Sequence, residues 1–472
     1  MERVFDVIVV GAGPGGSSIA GLLARAGAST LLLDRSHFPR DKVCGDGLTP
    51  RALYWLDILG CLDEVIDAAP SYVTDADLFI NGRHVLTGSY PPIGAYPGFS
   101  IIIPRKILDH IMVRHAVRCG AMFHPGCTVR KLTWKTDGVV VQGESDGVPV
   151  SFKSQVVVGA DGSNSMVSRA LGNRIREGLT AISMRGYYQG VRTKGAKIQV
   201  YFGDSYFPGY GWLFADEDGL ANVGVGLTVD SEFPALSSLR QVYDAFVNNE
   251  IKEALGGGEP AGKPRGGWTS FFLPKNQVAD RALLIGDAAN LGDPIRSDGM
   301  HMAMDSAHIA APAILEALRL KDYSAAALGR YQTEWSQRNE TDWRIGELLL
   351  TAAKNTELRE LLLSGLKVIA TLARTDSRFE ELIGGVFSGA DQARSLLNPS
   401  SWMGTAALNP GVLLKVLSTK DSGAGTVTRQ ALATARRVVA SPLPTIGWSL
   451  EVLAKIVGLA ECYTRNEMRM EA

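Results

Sequence analysis

A glycine-rich hexapeptide near the start of the chain constrains its fold more than any other feature. Residues 11–16 read Gly-Ala-Gly-Pro-Gly-Gly, after the apolar run 5–10 and before the helix-like stretch 17–26. A second apolar run, 30–33, ends at Asp34, eighteen residues beyond the hexapeptide. A strand, a glycine-rich turn, a helix and a second strand that ends in an acid are typical of a dinucleotide-binding βαβ unit. The amino terminus is therefore predicted to be α/β with a parallel sheet.

Three glycines of the hexapeptide each have their own physical task in such a unit. Gly11 allows the tight turn, Gly13 lets the backbone approach a pyrophosphate, and Gly16 lets the helix pack on the strand. The helix N-terminus attracts phosphates, and Asp34 would accept hydrogen bonds from a ribose. The predicted nucleotide-binding residues are Gly11, Ala12, Gly13, Pro14, Gly15, Gly16, Asp34 and Arg35. A glycine-rich turn with a purely structural purpose is the alternative interpretation.

Charge and apolar content narrow the class of protein. Forty-eight Lys and Arg face forty-nine Asp and Glu, so the formal net charge is −1 and no global field attracts nucleic acid. We expect no nucleic-acid partner. With 472 residues, 46% of them hydrophobic, the chain is long enough for two or three domains with sizeable cores.

The cysteines and the amino terminus favour a cytoplasmic protein. The five cysteines are odd in number and irregularly spaced, and no C-x-x-C pair suggests zinc or a dithiol. We predict no metal site. The first residues lead directly into a strand pattern without an export signal. Prolines interrupt the uncharged stretches 85–104 and 395–414, so we expect no transmembrane segment.

The hydrophobic pattern changes along the chain. Turn residues replace the helical period between residues 72 and 104, and the alternating segments 197–202 and 220–227 predict antiparallel strands. A buried strand is predicted at 281–290, and residues 300–320 predict a helix. The remaining sequence is mostly helical in pattern.

These changes predict an α/β fold of three parts. A Rossmann-type nucleotide-binding domain carries an inserted antiparallel β-sheet lobe for the substrate, and a helical carboxy-terminal region follows. The expected boundaries are 1–70, 101–180 and 278–330 for the discontinuous nucleotide-binding domain, 71–100 and 181–277 for the β lobe, and 331–472 for the helical region.

A second candidate element, GDAANLGDPIRSDGMHMAM at 286–304, follows a strand and leads into a helix. Asp287 is placed to bind a polyol or a water that bridges phosphates. Gly299 and Met300 begin a helix whose positive end can face an electron-rich ring. A strand, a loop and a helix cap without a ligand would show the same spacing. No second G-x-G-x-x-G and no redox-active cysteine pair occur, which argues against the two-nucleotide-domain disulfide reductases.

Several motifs occur in the order seen in flavoprotein monooxygenases of the p-hydroxybenzoate hydroxylase type. They are GAGPGG (11–16), Asp34, KVCGDGLTPRAL (42–53), Arg105, GADGSNSMVSR (159–169) and the GDAAN element. KVCGDGL and PGYGWLF (208–214) resemble, more narrowly, the geranylgeranyl reductase family. The resemblance covers roughly residues 1–330.

The resemblance implies a non-covalently bound FAD whose adenosine end lies over the hexapeptide and Asp34. Arg105 matches the family's arginine near the cofactor, Asp161 its Asp-Gly motif between the two lobes, and Asp287 the aspartate beside the ribitol chain. A surface ion pair for Arg105 and a turn for Asp161 are the alternative interpretations.

The resemblance also implies which residues meet the substrate. Cys44 and Gly45 match a loop that passes near both flavin and substrate, and Lys42 would favour a reactive Cys44 thiolate. A lone cysteine is, however, more often an inert small apolar residue. The family places Tyr210 and Trp212 on the wall of a prenyl tunnel, whereas the strand pattern alone is compatible with an ordinary core.

Two acidic residues depart from the family pattern. Asp293 stands where the family usually has Asn, and Asp298 lies in Ser-Asp-Gly in place of Gly-Glu-Gly. Both carboxylates are expected near the flavin ring. Their like charges predict a raised pKa for one of them, which would make it an acid or exclude an anionic substrate.

Together these features predict an FAD-dependent reductase of carbon–carbon double bonds in a geranylgeranyl-type isoprenoid, with NAD(P)H or a ferredoxin-like protein as electron donor. A monooxygenase that hydroxylates or epoxidises a hydrophobic metabolite is the alternative on the same fold. A halogenase is disfavoured because the W-x-W-x-I-P motif is absent. A lipid-binding protein that keeps FAD only as structure is a third interpretation.

One carboxy-terminal segment predicts where the protein encounters an isoprenoid. Residues 438–450 contain no charged side chain, and Trp448 lies near their end. Such a segment predicts a peripheral membrane contact at the bilayer interface. Packing against the nucleotide-binding domain is the competing interpretation.

Overall fold

The computed structural model describes residues 4–69, 71–174, 179–229, 236–353, 356–398, 401 and 455–462. The strands, in chain order, are β1 (Val4–Val10), β2 (Thr30–Leu33), β3 (Gly47–Leu48), β4 (Tyr72–Val73), β5 (Asp75–Ile80), β6 (Arg83–Ser89), β7 (Ser100–Ile102), β8 (Met122–His124), β9 (Cys127–Lys135), β10 (Gly138–Ser145), β11 (Val148–Gly159), β12 (Thr180–Gln189), β13 (Lys197–Phe202), β14 (Gly211–Ala215), β15 (Leu220–Val229), β16 (Glu259–Pro260), β17 (Arg265–Ser270), β18 (Val278–Ala279) and β19 (Ala282–Leu284).

The α-helices, in chain order, are α1 (Pro14–Arg25), α2 (Pro50–Leu59), α3 (Leu62–Ala68), α4 (Arg105–Arg118), α5 (Met166–Ala170), α6 (Leu236–Ala245), α7 (Met300–Leu320), α8 (Ala325–Leu328), α9 (Arg330–Trp335), α10 (Thr341–Ala353), α11 (Thr356–Ala373) and α12 (Ser377–Ser388). Single turns of 3₁₀-helix lie at Gly286–Ala289 and Ala393–Leu397, and π-helical turns at Phe246–Glu250 and Ser336–Glu340. Residues 455–462 are also helical.

The first sheet has eight strands and a parallel centre. β1 pairs in parallel with β2 and with β11, and β8 and β19 extend the parallel part on either side. β9 and β10 add an antiparallel hairpin to the long strand β11. Val7, Ile8 and Val9 of β1 are fully buried. A central parallel strand is covered on both faces, which is why β1 is apolar without alternation.

The second sheet also has eight strands and is mostly antiparallel. Its order is β16-β12-β15-β14-β13-β5-β6, with β17 paired to β12. Side chains alternate between its two faces: Leu213 and Ala215 of β14 are fully buried in a core on one face. Trp212 and Phe214 lie on the other face, where they line a cavity together with the turn that follows β1.

A small third sheet and two groups of helices complete the described structure. β3, β7 and β4 form the antiparallel third sheet, which packs with α2 in a separate apolar core. α7 packs against α1 and α2. α11 and α12 lie against β6 of the second sheet, where Phe379 and Ile383 contact Leu86.

Mixed α/β architecture with parallel and antiparallel sheets is confirmed. The strand at 197–202 and the helix at 300–320 have the predicted bounds. The helix after the hexapeptide begins at Pro14, earlier than predicted, because proline is well suited to the first helical position. The strand predicted at 281–290 ends at Leu284, since Gly286, with φ of +56°, begins a 3₁₀ turn. The division into three domains stays a prediction.

The described residues bear on only one of the two membrane predictions. Within the described ranges, no helix is long and apolar enough to cross a membrane. The segment 438–450 with Trp448, on which the peripheral contact was predicted, lies outside the described residues.

Candidate functional site

Two cavities meet at the turn between β1 and α1. The polar cavity, of about 540 Å³, contains Asp34 and Arg35 in its lining. The central cavity, of about 210 Å³, extends from the same turn to the second sheet. The residues that line both are Gly13, Lys42, Ala160 and Gly162. The two cavities therefore adjoin at this turn.

The glycines of the turn are needed for two different reasons. A Cβ at Gly16 would lie 1.8 Å from the carbonyl oxygen of Gly11, and one at Gly11, where φ is +102°, would lie 2.3 Å from that of Ala160. Gly13 is different, because the nearest atom to its Cβ would be Arg40 Nη2 at 3.9 Å. Gly13 is also the N-cap of α1, and no side chain caps that helix. Its first-turn N–H groups can therefore face an anion.

The remaining turn residues are Ala12, Pro14 and Gly15. Pro14 and Gly15 line the central cavity, whereas Ala12 is fully buried inside the turn. A Cβ on Gly15 would lie 3.2 Å from the Ala303 carbonyl oxygen on α7. Small residues here let α1 and α7 approach each other beside the cavity.

Asp34 holds the turn from the end of β2. Its carboxylate accepts hydrogen bonds from the backbone N–H of Ala12 and of Ser36, both at 2.8 Å. Arg40 Nη2 lies 4.0 Å from it. Each carboxylate oxygen keeps acceptor capacity beyond these bonds, so the ribose contact stays a prediction that the geometry permits. Arg35 is exposed at the rim of the polar cavity.

Asp161 is engaged within its own loop. Its Oδ1 accepts from Ser165 Oγ at 2.5 Å and its Oδ2 from the Met166 backbone N–H at 2.6 Å. Burial raises the pKa of Asp161 above its usual range, against the effect of these hydrogen bonds. The side chain thus shapes the turn before α5 at the wall of the polar cavity, as the turn interpretation expected. Any contact with a cofactor at this position stays a prediction.

One side of the central cavity is formed by Asp287 and the beginning of α7. Gly299 is the N-cap of α7, and a Cβ there would lie 3.0 Å from Asp287 Oδ1. Gly299 and Met300 both line the cavity, so the positive end of a 21-residue helix points toward it. Lys42 Nζ lies 3.6 Å from Asp287 Oδ2. The predicted proximity of Asp287 and Gly299 is therefore present.

A buried ion pair lies beside the loop that contains Cys44 and Gly45, which we call the cysteine loop. The Arg105 guanidinium donates to both oxygens of Asp109, at 2.6 and 2.8 Å, and Arg40 donates to the same carboxylate at 2.8 Å. Burial alone would lower the pKa of Arg105, but Asp109 and Cys44 outweigh it and hold that pKa above its ordinary value. With Arg105 only 2% exposed, the interpretation as a surface ion pair is wrong.

Cys44 and Gly45 lie at the central cavity. Cys44 is a free cysteine that lies close enough to Arg105 to contribute to the raised pKa of that guanidinium. The nearby cation is thus Arg105 and not Lys42, which pairs with Asp287 instead. Gly45 lies against the second sheet, since its Cβ would be 3.0 Å from the Phe214 ring. Among the described residues, no cluster of His, Cys, Asp and Glu is arranged to hold a metal ion.

Tyr210 and Trp212 form part of the cavity wall and not of a closed core. Trp212 Nε1 donates to Asn222 Oδ1 at 2.9 Å, and its ring lies over Gly224, where a Cβ would come within 2.2 Å. The Tyr210 hydroxyl donates to the Arg296 carbonyl oxygen at 3.0 Å. Both rings are therefore fixed, and their polar atoms are bonded to protein.

Asp46 links the cysteine loop to the second sheet, and it was not among the residues predicted from the sequence. This fully buried carboxylate accepts hydrogen bonds from the Tyr187 hydroxyl at 2.5 Å, Asn222 Nδ2 at 2.7 Å and the Arg105 backbone N–H at 3.2 Å. Burial raises the pKa of Asp46 to about 6, although Tyr187 and Asn222 lower it. The available signal was an acid between two glycines in CGDG, a place where a positive φ is common; here φ is +67°.

The pKa expectation for the two extra carboxylates is wrong for Asp298. Burial raises the pKa of Asp298, but His301, the Met300 backbone N–H and Arg296 outweigh it, and the pKa lies below its usual range. Asp293 pairs with Arg296, and Asp298 lies beside both His301 and Arg296, so the mutual repulsion of the two carboxylates does not dominate.

Known proteins resemble this chain in sequence. Residues 4–341 match the family described as "FAD binding domain". The chain belongs to this FAD-binding family. It is 32% identical to a menaquinone reductase of Mycolicibacterium smegmatis over 337 residues, which cover 69% of this chain and 80% of that protein. It is 29% identical to a digeranylgeranylglycerophospholipid reductase of Methanocella arvoryzae over 373 residues, 75% of this chain and 90% of that protein.

A solved structure of similar fold comes from Thermoplasma acidophilum. It is described as geranylgeranyl bacteriochlorophyll reductase-like and superposes with a TM-score of 0.67 at 21% identity, over 88% of this chain and 99% of that chain. At this identity the likeness concerns the fold. The resemblance to geranylgeranyl reductases inferred from the motifs is thereby confirmed at the level of the family.

The residues present fit an FAD of this flavoprotein. The open space at Gly13 and the uncapped end of α1 suit a pyrophosphate, and the polar cavity beyond them suits an adenosine. The central cavity, with Asp287 and the positive end of α7, suits a ribitol chain and an electron-rich ring. The individual cofactor contacts stay predictions.

Proposed function

We propose that this flavoprotein reduces carbon–carbon double bonds of a long isoprenoid chain, with NAD(P)H or a ferredoxin-like protein as electron donor. The observation that carries the proposal is the wall of the central cavity. Opposite the glycine-rich turn, this wall is built from aromatic and aliphatic side chains, namely Tyr210, Trp212, Phe214, Leu227, Trp268 and Phe271. Such a wall accepts an apolar chain and offers few polar groups to a hydrophilic substrate.

A second apolar cavity lies near the aromatic wall of the central cavity. A distal cavity of about 140 Å³ lies between the second sheet and helices α11 and α12. Phe202 lines the distal cavity and Tyr210 the central one, and the centroids of their rings are 6.3 Å apart. A substrate that fills both cavities is elongated as well as apolar, which describes a polyprenyl chain better than a compact metabolite.

The names of the relatives support the same class of substrate. Menaquinone and digeranylgeranylglycerophospholipid, which occur in those names, are both lipids with polyprenyl chains. The two proteins are named reductases. A reductase acting on a prenyl lipid is therefore the function that the cavity and the relatives jointly favour.

The bound FAD would supply the hydride chemistry. The chain's own residues bind, orient and exclude water: Gly13 and the end of α1 hold the phosphates, and the aromatic wall keeps the alkene in a dry, fixed position. Arg105, held by Asp109, lies beside Cys44 at the cavity. Asp287, paired with Lys42, fixes the polar edge of the same cavity.

An anaerobic half-reaction tests this proposal. The flavin is reduced with dithionite, excess reductant is removed, and a geranylgeranyl-bearing lipid is added while flavin absorbance and lipid mass are followed. We expect flavin reoxidation and the gain of two hydrogen atoms per reduced bond. The same lipid with a saturated chain is the control and should leave the flavin reduced.

The alternative chemistry has a different signature in the same experiment. A flavin that stays reduced until air is admitted, followed by the gain of one oxygen atom in a hydrophobic substrate, would replace the reductase with a monooxygenase. Reoxidation by the saturated control would show that the lipid is not the electron acceptor.

A further inference from the structure

The carboxylate of Asp46 lies at the junction of the cysteine loop and the second sheet. The register of β12 and β15 pairs Tyr187 with Asn222, so their side chains lie on the same face of the sheet. Asp46 faces this pair. Its Oδ2 accepts from the Tyr187 hydroxyl at 2.5 Å and from Asn222 Nδ2 at 2.7 Å. Two neighbouring strands of the sheet thus bind one buried carboxylate.

The side chain of Asn222 connects this carboxylate with the cavity wall. Its Nδ2 donates to Asp46 and, at 2.8 Å, to the Cys44 carbonyl oxygen, and its Oδ1 accepts from Trp212 Nε1 at 2.9 Å. Because the nitrogen faces two acceptors and the oxygen faces a donor, the orientation of the amide is fixed. Cys44 and Trp212 both line the central cavity. One buried amide therefore joins Asp46 to two groups of that cavity.

The Asp46 carboxylate matches its neighbours only when it is ionised. Its Oδ1 accepts from the Arg105 backbone N–H at 3.2 Å, so the three groups bonded to the carboxylate are all donors. An added proton would turn one oxygen into a donor that faces another donor. Of the three groups, only the Tyr187 hydroxyl can also accept. Asn222 would then donate to a neutral oxygen, and its bond would lose the assistance of the charge.

The groups around Asp46 have opposite effects on its charge. Burial raises the pKa of Asp46 to about 6, whereas its hydrogen bonds and the charge of Arg185 lower it. Arg185 lies on β12, with its guanidinium carbon 4.2 Å from the centroid of the Tyr187 ring. The Arg105 guanidinium of α4 is instead bound by Asp109. Asp46 therefore changes charge near neutral pH, while the arginines around it stay charged.

We propose that Asp46 is a positioning residue whose ionised carboxylate, acting through Asn222, holds the Trp212 indole and the Cys44 main chain in place at the central cavity. The consequence for the reaction rests on the proposed function. An alkene that lies against this wall is reduced rapidly only when it is held in one position relative to the flavin. Protonation of Asp46 should therefore slow the reduction of bound lipid more than it weakens lipid binding.

A measurement without lipid tests the positioning itself. The full-length holoprotein is labelled with ¹⁵N-tryptophan, NMR follows the indole N–H signals between pH 5 and pH 8, and Trp212→Phe assigns the Trp212 signal. We expect this signal to shift with a midpoint near pH 6 in the native chain and to stay constant in Asp46→Asn. The Trp343 indole donates to the Gly292 carbonyl oxygen at 3.1 Å and should give a constant signal in both proteins.

Tyr187→Phe distinguishes the ionisation of Asp46 from that of other groups. This variant removes a hydrogen bond that stabilises the carboxylate, so the midpoint of the Trp212 signal should move to higher pH by about one pH unit. Glu250→Gln is the matched control, because Glu250 also accepts from a tyrosine hydroxyl, that of Tyr206 at 2.8 Å, and does not line the central cavity. We expect the native midpoint in this control.

The anaerobic half-reaction measures the consequence for lipid reduction. With saturating geranylgeranyl-bearing lipid, the rate of flavin reoxidation in the native chain should fall about tenfold between pH 7 and pH 5. In Asp46→Asn the rate should be at least tenfold lower at pH 7 and independent of pH over this range. The lipid concentration at half-saturation should change less than threefold, whereas a general structural defect would weaken lipid binding as well. Glu250→Gln should follow the native profile.

A Trp212 signal that shifts equally in the native chain and in Asp46→Asn, or in neither, would overturn the proposal. An unchanged midpoint in Tyr187→Phe would do the same. If Asp46→Asn does not retain FAD, Tyr187→Phe decides, since it leaves the carboxylate in place. A Trp212 signal that follows Asp46 in a protein that reduces no geranylgeranyl lipid at any pH would reject the proposed substrate and keep the positioning role.

Discussion

The polar cavity and the wall of the central cavity are encoded in different ways. The polar cavity is built around a continuous stretch, Gly11 to Gly16, and the acid Asp34 at the end of the next strand. The aromatic wall collects side chains from distant parts of the chain, such as Tyr210 and Trp268, and its supporting acid Asp46 comes from a third part. The first region needs backbone geometry, and the second needs several strands to be in register.

This difference determines how each region responds to amino-acid substitution. The turn has no space for added atoms at Gly16, so a small substitution acts through sterics. The wall depends on close ring packing, such as that of Trp212 over Gly224, and on the buried carboxylate of Asp46. Substitutions in the two regions should therefore differ in their effects.

Substitution of Gly16 by alanine should have the largest effect. The new Cβ would lie 1.8 Å from the Gly11 carbonyl oxygen, so the turn must open, at a cost of more than about 4 kcal/mol in unfolding free energy. Chemical denaturation of the apoprotein measures this loss. Gly13→Ala is the control: its Cβ has open space, so apoprotein stability should stay within about 0.5 kcal/mol while FAD binds at least tenfold more weakly. Equal stability loss in both variants would contradict the assigned tasks.

Removal of the Asp109 charge should lower the free energy of unfolding nearly as much. Asp109→Asn leaves the fully buried Arg105 guanidinium without its counter-charge, which typically destabilises a protein by about 3–5 kcal/mol. Urea denaturation at neutral pH measures the change. Asp244→Asn breaks an exposed pair of the same spacing with Arg240 and should cost less than about 1 kcal/mol. A loss in Asp109→Asn no larger than in this control would mean that Arg105 is not held by Asp109.

The pH dependence of stability should reveal Asp46. Its pKa is raised from 3.8 to about 6 in the folded protein, so the folded state binds more protons than the unfolded state between these values. This contribution is fully present below pH 3.8 and is lost as the pH rises through 6, which amounts to about 3 kcal/mol.

Denaturant titrations at intervals from pH 3.5 to pH 7 measure that contribution against Asp46→Asn. The difference in unfolding free energy between the native chain and the variant should change by about 3 kcal/mol across this window. A difference that is independent of pH would show that Asp46 ionises normally despite its burial.

The smallest predicted effect concerns chain length. Gly88 lines the distal cavity, and its Cβ would meet only Leu86, at 3.8 Å. Gly88→Leu should fill the distal cavity and lower kcat/KM for a geranylgeranyl chain about tenfold, or about 1.4 kcal/mol, while a geranyl chain is little affected. Thr87→Leu is the control, because Thr87 is not among the residues that line this cavity. Parallel losses for both chain lengths would separate the distal cavity from the substrate path.

Part of the site was predictable because its determinants are local. The tasks of Gly11, Gly13 and Gly16 follow from a spacing within six residues, and the helix 300–320 follows from a long apolar period. Arg105 was predicted near the cofactor, but its burial was not, since its partner Asp109 shows no distinctive pattern. Asp46 was missed because nothing in a single sequence tells that Tyr187 and Asn222 will meet it.

The dinucleotide-binding βαβ unit, the family and the positions of the residues that surround the turn were predictable from the sequence, because each depends on spacing along a few neighbouring residues. The groups that surround Asp298 and the burial of Arg105 emerged only from the tertiary structure. A pKa or a cavity depends on which distant groups come within a few ångströms and exclude water, and the order of residues along one chain does not state those distances.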